Sequence, residues 1–326
     1  MRLRLPALAP SSAGLSRRTT FRAVEIRAVG PDELDAVDRL VRVAFGTFLG
    51  LPDPTQAFGD ADVVRTRARH SPEDTLVALE GDALVGAVQV VRWGSASVLG
   101  PLAVAPERWD SGVGRALIGA ALARVDASGA TLTGLFTFPS SPKHVMLYHR
   151  FGFAPQHLVA VMARAVAPSD RAPTTLAGVG AGPSELAALA AVSGALYPGL
   201  DLSREVAAVL GQGIGDVVVL DDGRGFALCH LGAGEAASGV CYVKFAAVAP
   251  GPSASGDFAA LLSDVEALAH RAGLATIEAG VDTGRTAAYA ALSGWGWRTQ
   301  FLGVRMSRPD LVGWSAPSAY VLDDLR

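Results

Sequence analysis

Cysteine and lysine are scarce in this chain: among 326 residues they occur only as Cys229 and Cys241, and as Lys143 and Lys244. Two cysteines in so long a chain build no disulfide framework, and neither sits in a CxxC or Cys/His spacing, so no metal is expected and a reducing, cytoplasmic setting is. No run of 18 apolar residues occurs, so no transmembrane helix and no membrane partner are expected. Charge is also sparse, at 18% of residues, with a net charge of −3 and a pI of about 6.1. That leaves no basic face to hold a phosphate backbone and argues against nucleic acid. Residues 1–22 lack acids, carry five arginines and have their one apolar stretch broken by Pro6 and Pro10; they read as a flexible N-terminal extension.

Apolar residues are plentiful, at 50% of the chain, enough for a sizeable core. The first half reads as strand 24–28, a helix opened by Pro31-Asp32-Glu33, a three-strand meander over 75–80, 84–93 and 97–104, helix 112–127, strand 131–138, helix 142–151 and strand 158–165. That is an α/β layered order. A Pro/Gly/Ala-rich stretch, 167–182, reads as a linker and the start of a second repeat. Pro183-Ser184-Glu185-Leu186 then opens a helix as Pro31-Asp32-Glu33-Leu34 did, and Asp221-Asp222-Gly223 joins two strands. Val104-Ala105-Pro106 recurs 144 positions on as Val248-Ala249-Pro250, and the same shift carries Gly112 to Gly256 and Gly152-Phe153 to Gly296-Trp297. A constant shift over so many residues predicts tandem duplication, with one domain at 23–166 and another at 183–326 that includes the C-terminal tail. That tail, Tyr320-Val321-Leu322-Asp323-Asp324-Leu325-Arg326, is apolar and acidic enough to be expected docked on the body.

Two motifs carry chemistry. Leu102-Ala103-Val104-Ala105-Pro106 ends a strand, and Asp110-Ser111-Gly112-Val113-Gly114-Arg115 runs into a helix. Free N–H groups at a helix start favour anions, glycines at 112 and 114 let a pyrophosphate approach, and Arg108 and Arg115 can add charge-assisted contacts. A ligand-free strand-to-helix turn has the same pattern. Some thirty residues later, Ser141 and Pro142 open a short helix that holds His144, Tyr148 and His149 and stops at Gly152. Tyr148 could equally be an aromatic packing this helix on the sheet, and both histidines could be surface residues.

Taken together, the motifs resemble the GCN5-related N-acetyltransferase (GNAT) superfamily, in a tandem-domain form with a degenerate C-terminal copy. Its pyrophosphate loop, Gln/Arg-x-x-Gly-x-Gly/Ala, corresponds to Trp109-Asp110-Ser111-Gly112-Val113-Gly114, with Trp109 in place of the usual polar residue. Its Tyr-x-x-x-Gly-Phe corresponds to Tyr148-His149-Arg150-Phe151-Gly152-Phe153. The resemblance implies two tandem GNAT-like domains, each a mixed, mostly antiparallel sheet with helices on both faces. It implies acetyl-CoA, or a related acyl-CoA, as donor. Leu102, Ala103 and Val104 would pair with its pantetheine arm, with Ser141 close by. Asp110, Ser111, Gly112, Val113, Gly114 and Arg115, helped by Arg108, would hold its pyrophosphate. Tyr148 would protonate the departing thiolate.

Strand 98–104 lacks the carboxylate base that many members have, so the base is water or a histidine such as His144. The acceptor would be a small-molecule or peptide amine, framed by Phe48, Asp53 and Asp60; those acids could also be ordinary loop caps. Under the 144 shift Gly114 becomes Phe258 and Tyr148 becomes Leu292, so the second copy cannot use an acyl-CoA in the same way. The alternatives are a non-catalytic acyl-CoA-binding module and a pseudoenzyme, and the assembly is expected to be a monomer or homodimer.

Overall fold

The computed structural model describes residues 24–326, and the expectation for residues 1–22 lies outside them. The first half runs β1 (Glu25–Ala28), α1 (Leu34–Leu49), α2 (Val63–His70), β2 (Thr75–Glu80), β3 (Ala83–Trp93), β4 (Ala96–Val104), α3 (Val113–Ala127), β5 (Leu132–Thr137), α4 (Pro142–His149) and β6 (Ala154–Ala165). A short helix α5 (Leu176–Val179) follows in the linker. The second half runs α6 (Pro183–Leu196), α7 (Ser203–Gln212), β7 (Gly215–Val219), β8 (Gly225–Leu231), β9 (Val240–Val248), α8 (Ala254–Arg271), β10 (Thr276–Asp282), α9 (Thr286–Gly294), β11 (Arg298–Arg308) and β12 (Val321–Leu322). From the end of β4 onward the elements of the second half fall 144 positions after those of the first. None of the helices of the described residues is long and apolar enough to cross a membrane.

Local chemistry explains the main boundaries. Glu33 accepts from the Gly30 N–H at 2.6 Å and from Arg27, so the turn before α1 is tied down. Val37, Val41 and Ala44 then form the buried stripe of α1, and Gly50, at φ +70°, closes it. The helix α2 is absent from the expected order. It carries three arginines and a histidine in eight residues, so no clear apolar periodicity announces it.

The two halves share one sheet, in the order β1-β2-β3-β4-β5-β11-β6-β10-β9-β8-β7. Their last strands are exchanged. β11 pairs with β5 of the first half, β6 pairs with β10 of the second, and β6 and β11 pair with each other in the middle, all antiparallel. The core crosses the same boundary. Trp93, Val98 and Leu132 pack in one buried cluster with Phe226, Phe245, Trp314 and Leu325. Cys229 and Cys241 are buried and free in the second half.

Candidate active site

The geometry begins with β4 and β5, which pair in parallel at only three positions: Ala96 with Leu132, Ser97 with Thr133 and Val98 with Gly134. Beyond Gly134 β5 keeps β11 as its partner, while β4 continues to Val104 beside β3 alone. The result is a wedge-shaped gap whose apex is at Val98 and Gly134. A register shift in the β3–β4 pairing between Val88 and Val90 turns β4 at Gly100-Pro101, where the gap opens.

Peptide groups alternate sides along a strand. The Ala105 N–H donates to the Val85 carbonyl at 3.0 Å, so the groups of Ala103 also face β3 and those of Leu102 and Val104 face the gap. Ala103 is thereby corrected as a backbone partner for a ligand. Its methyl group is buried under α1 with Ala87. On the gap side, the Trp109 indole N–H donates to the Val104 carbonyl at 2.8 Å.

The loop after β4 leads into α3. Asp110 has φ +64° and Gly112 φ +92°, and Gly112 is the N-cap residue. No side chain caps this helix start, so its N–H groups remain available. Nothing lies within 4 Å of a Cβ built on Gly112, whereas one on Gly114 meets Val104 at 3.5 Å and Leu147 at 3.8 Å. Gly112 is therefore the open, glycine-requiring position, and Gly114 is a close-packing position between α3, β4 and α4. Ser111 donates to the Arg108 carbonyl at 2.6 Å. Arg108 itself is paired with Glu80, which draws it away from the loop. Lys143, at the start of α4, pairs with Asp110 at 2.8 Å and lies over the Trp109 ring, while Arg115 is exposed.

Across the gap stands α4. Ser141 is its N-cap residue and is buried, but its side chain makes no capping bond. Tyr148 is buried in the cluster with Leu117, Leu135 and Phe153, edge-on to the Phe153 ring. Burial pushes its phenol well above the ordinary tyrosine value, so it stays protonated and able to donate. His144 lies one turn earlier on the same helix face. Its Nδ1 is buried without a partner, and its ring is edge-on to Phe48 at 4.8 Å. Burial, reinforced by Lys143, lowers its pKa, so the imidazole is neutral near pH 7. His149 is exposed at the helix end, where Nδ1 lies 3.3 Å from the Phe153 carbonyl oxygen.

The other face of the gap is covered by α1 and α2. Phe48 packs on Phe138 at 5.0 Å, Phe45 reaches both Phe138 and Phe58, and Phe136 meets Phe301 of β11. Asp53 is turned onto its own loop, accepting from the N–H and hydroxyl of Thr55, so it is a cap. Asp60 accepts from the Ser238 N–H at 3.0 Å and ties α2's approach to the second half. Of the three expected acceptor residues, only Phe48 stands at the gap.

The sequence of residues 42–153 matches the profile of the acetyltransferase (GNAT) family. Residues 42–153 thus carry the sequence signature of the GNAT family. No curated protein sequence matches it. Among solved structures, a proposed acetyltransferase from Pyrococcus horikoshii superposes with a TM-score of 0.66 at 14% identity, over 95% of this chain and 97% of that one. A GCN5-related N-acetyltransferase from Sphaerobacter thermophilus gives 0.56 at 17% identity, over 87% and 95%. The fold of both halves together therefore has solved counterparts.

Several residues around this gap escape sequence reasoning. Arg67 of α2 is buried, donates to the Gly100 carbonyl at 2.7 Å, and forms a bidentate pair with Glu235 of the second half. Lys244 bridges Glu235 and Glu205. Burial alone would raise the Glu235 carboxyl, but Arg67 and Lys244 reverse this and hold it well below the carboxylate range. Beside this group, a small cavity of about 20 Å³ is lined by His70, His230 and Lys244, among others. The only available signal was the presence of ionisable residues in otherwise apolar strands, as at Lys244 and His230.

Proposed function

We propose that the first repeat transfers an acetyl group from acetyl-CoA to a primary amine by direct attack. The gap between β4 and β5 carries this reading, because it sets unpaired strand groups beside a free helix start and a protonated phenol. The N–H groups of residues 110–115 would receive the pyrophosphate at the positive end of α3. Lys143 would exchange Asp110 for a phosphate oxygen. The Val104 N–H would pair with the pantetheine arm.

The attacking nitrogen forms a bond to the thioester carbonyl carbon, and the C–S bond breaks. Negative charge gathers first on the carbonyl oxygen, which a gap-facing backbone N–H of β4 can stabilise, and then on sulfur. Tyr148 gives its proton to the departing thiolate and recovers one from solvent. The neutral imidazole of His144, with a buried free Nδ1, takes the amine proton. The second repeat, with Phe258 and Leu292 at the matching positions, has neither the small residue at the helix start nor an acid.

Incubating the full chain with acetyl-CoA and a panel of primary amines, and reading released thiol, tests the proposal. CoA binding without thiol release for any amine would favour a non-catalytic binding module instead.

A further inference from the structure

The second repeat also has a wedge between its strands, and the chain itself fills it. β9 and β10 pair in parallel from Val240 and Thr276 to Val243 and Ala279 and then separate. Into the opening run Val321 and Leu322, which pair with Ala247 and Ala246. The Val248 N–H donates to the Tyr320 carbonyl at 3.3 Å. Under the 144 shift, Ala246, Ala247 and Val248 are the counterparts of Leu102, Ala103 and Val104, so the segment lies on the edge that the first repeat leaves free.

The remaining contacts follow the same correspondence. Phe258, counterpart of Gly114, packs on Tyr320 with ring centroids 5.2 Å apart. Arg285, counterpart of Ser141, donates to the Val321 carbonyl at 3.1 Å and to Asp323 at 2.7 Å. Trp314 donates to the same carboxylate oxygen at 2.7 Å. Gly280, counterpart of Phe136, has no Cβ because Asp324 occupies that space. Residues 320–324 thus follow the path, from loop end to apex, that a pantetheine arm would take in the first repeat.

The segment then crosses to the first repeat. Leu325 lies over Gly134 at the apex of the β4–β5 gap, where a methyl group on Gly134 would come within 2.6 Å of its Cδ1. Arg67 donates both to the Arg326 carbonyl and to Gly100 of β4. The Arg326 guanidinium lies over the rings of Tyr242 and Phe301 and bonds to Asp324 and Glu278.

We propose that the second repeat is the acceptor wall of the first, and that Leu325 and Arg326, held by the segment lying in the second repeat's own donor gap, are positioning residues for an amine carried on an aromatic or alkyl group. The inference rests on the transfer reaction proposed above. Phe48, Phe136, Phe138 and Phe301 supply apolar walls. The cations nearby, Arg67 and Arg326, are already matched by Glu235, Asp324 and Glu278, so neither is free to bind an acidic acceptor.

The test measures acetyl transfer to phenethylamine and to spermidine, together with CoA binding by calorimetry, in the wild type and in Leu325→Ala, Arg326→Ala and Arg326→Lys. Wild type should bind one CoA per chain and prefer phenethylamine. Both alanine variants should raise the phenethylamine KM by about tenfold at nearly constant kcat, as expected for a misplaced acceptor. Their CoA affinity should be unchanged, which also reports an intact fold, and Arg326→Lys should recover part of the loss. An unchanged KM in both variants, a preference for spermidine, or two CoA per chain would overturn the inference. A wild-type chain that binds CoA but acetylates neither amine would overturn the transfer reading on which it rests.

Discussion

Arg67 of α2 donates to the carbonyl of Gly100 at 2.7 Å, so a helix covering the gap holds the strand at the point where the gap opens. The same guanidinium is the bidentate partner of Glu235, whose side chain is 3% exposed. Arg67→Ala would leave that carboxylate with Lys244 alone. Breaking a buried pair from one side costs about 3–5 kcal/mol, and Lys244 places this case at the lower end. Urea denaturation should show that loss, with a fall in acceptor turnover wherever the fold survives.

Tyr148→Phe should lower kcat by roughly 10²–10⁴-fold while leaving CoA affinity and stability near wild type. The ring keeps its packing on Phe153 and loses only the hydroxyl. Thiol release under saturating acetyl-CoA, set against CoA calorimetry, separates the two effects. A kcat close to wild type would mean that the thiolate departs unaided.

Glycines 112 and 114 should part company. Gly112→Ala forces a Cβ onto a backbone at φ +92°, which costs on the order of 1–3 kcal/mol, and it should weaken CoA binding by disturbing the helix start. Gly114→Ala adds a methyl group at ordinary contact distance from Val104 and should be nearly silent in both measurements. Gly114→Phe, which copies Phe258 of the second repeat, would instead drive Val104 and Leu147 apart and lower the melting temperature.

Acid should destabilise the chain well above the carboxylate range. Burial pushes the His230 imidazole down to about 4 from an ordinary value of 6.5. Between those values the unfolded chain binds a proton that the folded chain refuses. The stabilisation is thus complete above pH 6.5 and is lost as pH falls towards 4, by up to roughly 3 kcal/mol. His144, also lowered, adds a slope of the same sign. His230→Asn, which can still accept the Glu235 N–H that His230 Nδ1 accepts, should flatten the stability–pH curve in this window.

His144→Ala should lower kcat/KM and remove an ionisation from the pH–rate profile on the acidic side of the usual imidazole range. A profile that keeps its shape, rising only towards the amine's own pKa, would assign proton removal to water.

What could be read from the sequence was local or periodic. The loop before α3 and Tyr148 sit in short motifs at the ends of single elements, and the 144-residue shift fixed the counterparts in the second half before any contact was known. What could not be read depended on pairing between distant strands. The apolar pattern of β6 suits an edge beside β5 or beside β10 equally well, so nothing in it announces the exchange. The proposed acceptor wall likewise gathers Phe136, Phe301 and Arg326, which are far apart in sequence and have no shared motif. Asp53 and Asp60 looked like acceptor ligands because a carboxylate in a loop reads the same whether it caps a turn or meets a substrate.

The exchange of β6 and β11 also sets the order of events during synthesis. When the ribosome has delivered residues up to Ala165, β5 has no neighbour on its outer side and β6 has none of its eventual partners, because β10 and β11 lie more than a hundred residues downstream. Hydrophobic strand edges must wait for these partners for roughly 6–30 s at ordinary elongation rates. Those edges are where a nascent-chain chaperone would bind and where misassembly with a neighbouring chain on the same messenger would start.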